Sequence, residues 1–209
     1  MLNSNENQEG KSAYLSLLPI YPLLAQQCVD DYRLERGICI DIGTGNGYMG
    51  TEIAKITHMS IYYVDIEPRG LDFARHTVEE AHLDNEVFFI QADICRQLPF
   101  KDNFADFIVS RGSLWFWEDK VKGLAEAYRV LKIGGAALIG GGLGRYIPAS
   151  MRARLMEGRR DKLKKKGIKK PSGKELQDLA LQTGIRSFRV LRDSPEQDEG
   201  SWIEIHKYV

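Results

Sequence analysis

The stretch Ile38-Cys39-Ile40-Asp41-Ile42-Gly43-Thr44-Gly45-Asn46-Gly47-Tyr48-Met49-Gly50 decides the fold. Its apolar opening suits a strand buried on both faces, and the run stops at three alternating glycines. A helical pattern through Ile53, Ala54 and Ile56 starts directly afterwards. Strand, glycine turn and helix N-terminus in that order predict a nucleotide site. Gly43, Gly45 and Gly47 lack the Cβ atoms that would hold a ligand away from the backbone, and the unpaired N–H groups of the first helical turn face the space so made.

Working outward, Ile61-Tyr62-Tyr63-Val64-Asp65 is a β-branched and aromatic run that ends in a carboxylate. Asp65 stands 18 residues beyond Gly47, where an acidic side chain can accept hydrogen bonds from both hydroxyls of a ribose. Glu67 is its rival, but Pro68 at a first helical position suits Glu67 better to the start of a helix. Ile66 is placed to pack on the base. Leu71, Ala74, Val78 and Ala81 repeat at helical spacing and predict the crossover helix. Val87 to Ile90 reads as a third strand, and Asn103 to Gly112 as a fourth strand with its exit. Val121, Leu124, Ala125, Tyr128 and Leu131 mark one face of the next helix, and Ala136 to Ile139 a fifth strand. Ser187 to Leu191 and Trp202 to His206 suit an antiparallel terminal pair, joined by an acidic loop from Asp193 to Gly200.

Gly45-Asn46-Gly47-Tyr48-Met49-Gly50 fits the dinucleotide pattern G-x-G-x-x-G. The register speaks against that reading, because the first glycine after the strand is Gly43 and Asp41 would be left without a role. Asp-x-Gly-x-Gly-x-Gly instead resembles the class I S-adenosylmethionine-dependent methyltransferases. The resemblance continues in Asp93 after the third strand, in Asp106 at the start of the fourth, and in Arg129-Val130-Leu131-Lys132-Ile133-Gly134-Gly135, where Ile133 replaces the usual proline.

These features run from Asp41 to Gly135 in the family's order. They imply an α/β fold with a doubly wound, seven-stranded, mostly parallel sheet whose last strand is antiparallel. They also imply S-adenosylmethionine as cofactor. Asp41 would organise the loop, and Gly43, Thr44, Gly45, Asn46 and Gly47 would lie along the methionine part. Asp65 would take the ribose, Ile66 would pack on the adenine, Asp93 would accept from the adenine amino group, and Ile94 is a further cofactor-binding candidate. Ser110 and Arg111, at the exit of the fourth strand on the same edge of the sheet, are further cofactor-binding candidates.

The 209 residues, 43% of them hydrophobic, suit a single domain. Residues 1–34 form a leading segment that is expected to cover the site, and 145–171 a basic helical insertion after the fifth strand. No run of about 18 apolar residues could span a bilayer, and Met1 to Asn7 lacks the basic and apolar parts of a signal peptide. Cys28, Cys39 and Cys95 are odd in number and widely spaced, which suits a reducing compartment without disulfide or zinc. A cytoplasmic location is the expectation. Zero net charge conceals an asymmetry, since Arg152 to Lys170 holds ten basic residues against Glu157 and Asp161.

No histidine falls where a general base would act: His58 precedes the second strand at the opposite edge, His76 and His82 lie on the crossover helix, and His206 on the last strand. Methyl transfer from a sulfonium is an in-line displacement, so proximity and alignment can carry it, and no catalytic residue is assigned. Tyr14, Tyr21, Arg111, Trp115 and Arg145 are the candidates for the acceptor pocket. Aromatic rings with arginine suit a small planar or acidic molecule. Two other functions stay open at this point. One is an enzyme methylating nucleic acid, which the basic stretch favours and the absence of Asp/Asn-Pro-Pro-Tyr and Pro-Cys motifs opposes. The other is a non-catalytic S-adenosylmethionine-binding subunit.

Overall fold

In the computed structural model, residues 17–156, 170–193 and 200–208 are described. Tyr14 and the larger part of the basic stretch lie outside them. A helix, α1 (Ile20–Tyr32), leads the chain. Pro19 caps it and Pro22 sits in its first turn, where a missing N–H removes no internal bond. It ends at Arg33, in left-handed conformation at φ 52°.

Strand β1 (Arg36–Ile42) follows, then α2 (Tyr48–Lys55), β2 (His58–Asp65), α3 (Pro68–Ala81), β3 (Val87–Gln91) and β4 (Ala105–Arg111). A short 3-10 turn spans Leu114–Phe116, before α4 (Lys120–Val130) and β5 (Leu131–Gly141). The chain closes with α5 (Ala149–Met156), α6 (Gly173–Gln182), β6 (Phe188–Arg192) and β7 (Ser201–His206). The strands form one sheet in the order β3-β2-β1-β4-β5-β7-β6. β7 runs antiparallel to both of its neighbours, while β1 to β5 pair in parallel. The expected architecture is therefore the observed one.

Alternation along the strands divides the core into two layers. Cys39, Ile61, Tyr63, Phe107 and Leu138 face α1, α2 and α3, where Ile20, Leu24, Ile53 and Ala74 meet them. Ile40, Ile42, Val64, Ile108 and Ile139 face α4 and α6, where Leu124, Ala127, Leu176 and Ala180 complete the second layer. One detail of the helical reading changes. On α4 the buried residues are Gly123, Leu124, Ala127 and Val130, whereas Ala125 is exposed. Trp117 explains the shift, because its ring packs where a Cβ on Gly123 would stand, which turns that side of the helix inward.

β5 is also longer than Ala136 to Ile139, since Leu131 pairs with Ala105 ahead of a register shift. Ile133, in place of the family's proline, is 54% exposed beside Gly134 at φ 85°. The turn there is tied by the Gly134 N–H to the Lys207 carbonyl at 2.7 Å. The strand order reverses between β1 and β4, so their C-terminal ends border the crevice in which open α/β sheets bind ligands.

Candidate functional site

The loop after β1 is built from its own polar groups. Asp41, only 2% exposed, accepts from the Thr44 hydroxyl at 2.8 Å and from the Gly50 N–H at 3.0 Å. Burial pushes its carboxyl up to about 6, against these two hydrogen bonds and with a further push from Asp65. The backbone N–H groups of Gly43 and Thr44 both reach the Val64 carbonyl, at 2.8 and 3.1 Å. The loop is thereby stitched to β2.

Asp65, at the end of β2, accepts from the Gly45 N–H at 2.8 Å on one oxygen and from the Glu67 N–H at 3.0 Å on the other. An ionised carboxylate has about four lone-pair positions, so each oxygen retains capacity for a hydroxyl donor. Glu67 is the exposed N-cap residue of α3, with Pro68 at the first helical position.

The three glycines have three different surroundings. A Cβ on Gly43 would overlap the Ser113 side chain, and one on Gly47 would stand 2.9 Å from Ala74 on α3. A Cβ on Gly45 would meet nothing within 4 Å, and its φ is 52°. Gly45 is therefore the glycine that faces open space, while its neighbours make room for the protein itself. Asn46 sits half-buried beside it.

Farther along the same edge, Asp93 accepts from the Cys95 N–H at 2.8 Å and has Arg96 at 3.5 Å. Ile66 is 55% exposed, whereas Ile94 is buried in the second core layer. A cleft of about 600 Å³ opens beside Asp93, bounded by Cys95, Arg96, Glu118, Asp119 and Lys120. No residue of the glycine loop lines it.

At the end of β4, Ser110 is fully buried and its hydroxyl lies 2.5 Å from that of Ser113. Ser113 also donates to the Ile42 carbonyl and accepts from the Trp117 indole N–H, each at 3.1 Å. No sequence pattern marks Ser113, yet it joins the ends of β1 and β4. Arg111 is held firmly. Its Nε and one terminal nitrogen donate to the Gly142 carbonyl at 3.2 and 2.9 Å, and the other terminal nitrogen to the Tyr21 hydroxyl at 3.0 Å. The Tyr21 ring lies 5.3 Å from that of Tyr48, the first residue of α2. This brings Arg111 and Tyr21 together with Tyr48, which directly follows the glycine loop in the chain. Tyr48 is a further member, which the sequence shows within the glycine motif without marking it for the acceptor pocket.

Trp115 lies over Gly141, with the Lys170 ammonium 5.5 Å from its ring centre. Arg145 stands apart from this group: its guanidinium pairs with Asp31 and its N–H with the Gln27 side chain at 2.7 Å, both on α1. No group of three or more histidine, cysteine, aspartate or glutamate side chains among the described residues is placed to hold a metal.

Comparison with known proteins places these features in context. Residues 40–139 match the profile described as a methyltransferase domain. Over 107 residues the chain is 38% identical to the chloroplastic 2-methyl-6-phytyl-1,4-hydroquinone methyltransferase of Spinacia oleracea, covering 49% of this chain and 29% of that one. Over 105 residues it is 30% identical to a ubiquinone/menaquinone biosynthesis C-methyltransferase of a Geobacter species, covering 49% of this chain and 44% of the relative. The chain thus spans less than half the length of these curated relatives. A crystal structure from Methanococcus maripaludis, assigned as an S-adenosyl-L-methionine-dependent methyltransferase, is 32% identical with a TM-score of 0.82, covering 97% of this chain and 92% of that one.

Proposed function

Because this chain belongs to the class I S-adenosylmethionine-dependent methyltransferases, we propose that it methylates a small planar acceptor held between the glycine loop and the end of β4. The group of Arg111, Tyr21, Tyr48 and Trp115 carries this reading, since rings and a guanidinium line one wall beside the loop. Such a wall suits an electron-rich or anionic ring. The names of the relatives, methyltransferases of hydroquinone and quinone biosynthesis, support the same class of acceptor.

The residues of the loop fit the cofactor. Gly45 leaves the space a backbone-hugging ligand needs, and Asp65 retains acceptor capacity for two ribose hydroxyls. Ile66 offers an exposed apolar face to the base, with Asp93 on the same edge. S-adenosylmethionine, when bound, supplies a sulfonium methyl group open to in-line attack. The chain contributes alignment: the rigid loop fixes one partner, and the Arg111 wall orients the other and excludes water.

Two described basic residues of the stretch from Arg152 to Lys170 turn toward protein, Arg152 to the Gly144 carbonyl and Lys170 to Trp115. This favours an acceptor-side cover over a nucleic-acid surface. No helix among the described residues is long and apolar enough to cross a membrane, and the three thiols are free, which suits work in the cytoplasm. The test is incubation with methyl-labelled cofactor and a panel of hydroquinones and phenols, with products read by mass spectrometry. Label in a ring-bearing product supports the reading. Label in RNA alone, or calorimetric binding of NAD without binding of S-adenosylhomocysteine, overturns it.

A further inference from the structure

The glycine run Gly140-Gly141-Gly142 that closes β5 makes room for a side chain from a distant hairpin. A Cβ on Gly142 and one on Gly200 would both overlap the carboxylate of Asp193. That side chain is 3% exposed. One of its oxygens accepts from the Leu143 N–H at 2.5 Å, and the other from the Trp202 indole N–H at 2.8 Å. Arg152 approaches the first oxygen at 3.9 Å. The residue's own N–H closes the hairpin onto the Gly200 carbonyl at 2.9 Å.

The consequence reaches the candidate site through one peptide unit. The amide that donates its Leu143 N–H to Asp193 is the amide whose carbonyl belongs to Gly142, and that carbonyl receives two hydrogen bonds from Arg111. A peptide plane is rigid, so fixing its N–H aims its carbonyl. Trp115 rests on the preceding residue, Gly141. Both Arg111 and Trp115 therefore lean on a backbone segment whose orientation depends on a buried carboxylate from the β6–β7 hairpin.

We propose that Asp193 is a positioning residue: it locks the Gly142–Leu143 peptide so that its carbonyl holds the Arg111 guanidinium in place on the acceptor side. The assignment rests on the reading of Arg111 as part of the acceptor wall. Asparagine at this position has one acceptor atom for two donors, so either Leu143 N–H or the Trp202 indole N–H would lose its partner. The peptide would then turn more freely and release Arg111.

The test follows the Arg111 Nε–H signal in nitrogen-15-labelled protein, identified by its loss in Arg111→Lys. In Asp193→Asn that proton is expected to exchange with water about tenfold faster, the order that loss of one hydrogen bond to a charged group gives. Ile203→Val, a trim of the core in the same hairpin, is expected to leave the exchange unchanged even where it lowers stability. Should Asp193→Asn not fold, Trp202→Phe removes the indole donor that orients the Asp193 carboxylate, together with part of the buried ring, and is read in the same way, with an expected acceleration that Ile203→Val does not show. Unchanged Arg111 exchange in a folded Asp193 or Trp202 variant overturns the proposal, as does equal acceleration in Ile203→Val. Calorimetry of the unaltered protein with S-adenosylhomocysteine runs alongside. Its failure would count against the methyltransferase reading, whereas unchanged exchange with intact binding would count against Asp193 alone.

Discussion

Gly43 and Gly45 are two residues apart in one loop, and replacing each by alanine is expected to have a different outcome. At Gly43 the new Cβ would overlap Ser113, whose hydroxyl joins β1 to β4, so Gly43→Ala should lower unfolding free energy by more than about 2 kcal/mol. At Gly45 nothing stands in the way. The cost is then the left-handed backbone alone, about 1–2 kcal/mol, while affinity for S-adenosylhomocysteine should fall because the Cβ enters the open space. Urea unfolding and calorimetry on both variants separate the two effects.

Asp65→Ala should keep the fold and weaken the same ligand by about 2–3 kcal/mol, through loss of charge-assisted hydrogen bonds. Unchanged affinity, with a large loss in Glu67→Ala, would move the ribose to Glu67. Asp41 gives a pH dependence. Its carboxyl is raised from 3.8 to about 6 by burial, so the folded state holds that proton more tightly than the unfolded chain. Its contribution therefore turns unfavourable as pH rises from about 4 to 6 and is constant above. Asp41→Asn should remove this slope, with the stability difference between variant and parent growing by on the order of 2 kcal/mol over that window. A difference that stays flat in urea titrations from pH 4 to 7 would show that Asp41 is not held in this way.

Among the elements, α1 is the one whose role the sequence leaves most open. Its two prolines, Pro19 and Pro22, both fall at the helix start and interrupt nothing. Ile20, Leu24, Ala25 and Cys28 are fully buried against the sheet layer, so α1 is a docked part of the core. The ion pair of Arg145 with Asp31 lies at its rim with side chains 48% and 23% exposed. Arg145→Ala is expected to change stability by less than about 1 kcal/mol. Leu24→Ala is expected to cost about 2–5 kcal/mol. If denaturant melts show the reverse order, surface pairing rather than burial holds the helix. The α4 face illustrates a similar point. Spacing alone selects Ala125, but the Trp117 ring against Gly123 sets which side turns inward.

For the whole molecule, a ligand that binds only the folded state raises its stability, by about 2.7 kcal/mol at a hundredfold excess over Kd. S-adenosylhomocysteine at that excess should therefore raise Tm by roughly 5–10 °C in a domain of this size, while NAD should not. A differential scanning experiment with each ligand decides. The seven strands and their order of appearance were legible in the sequence. They follow from local rules: apolar runs bounded by turns, glycines after β1, and carboxylates at the ends of β2 and β3. What folding alone decided lies in contacts between distant segments. Ser113 filling the space beside Gly43, Tyr21 meeting Arg111, and Asp193 entering the gap left by Gly142 join residues many tens of positions apart. None leaves a periodic trace, because each depends on which side chain occupies a volume that another lacks, and that volume exists only once the sheet has assembled.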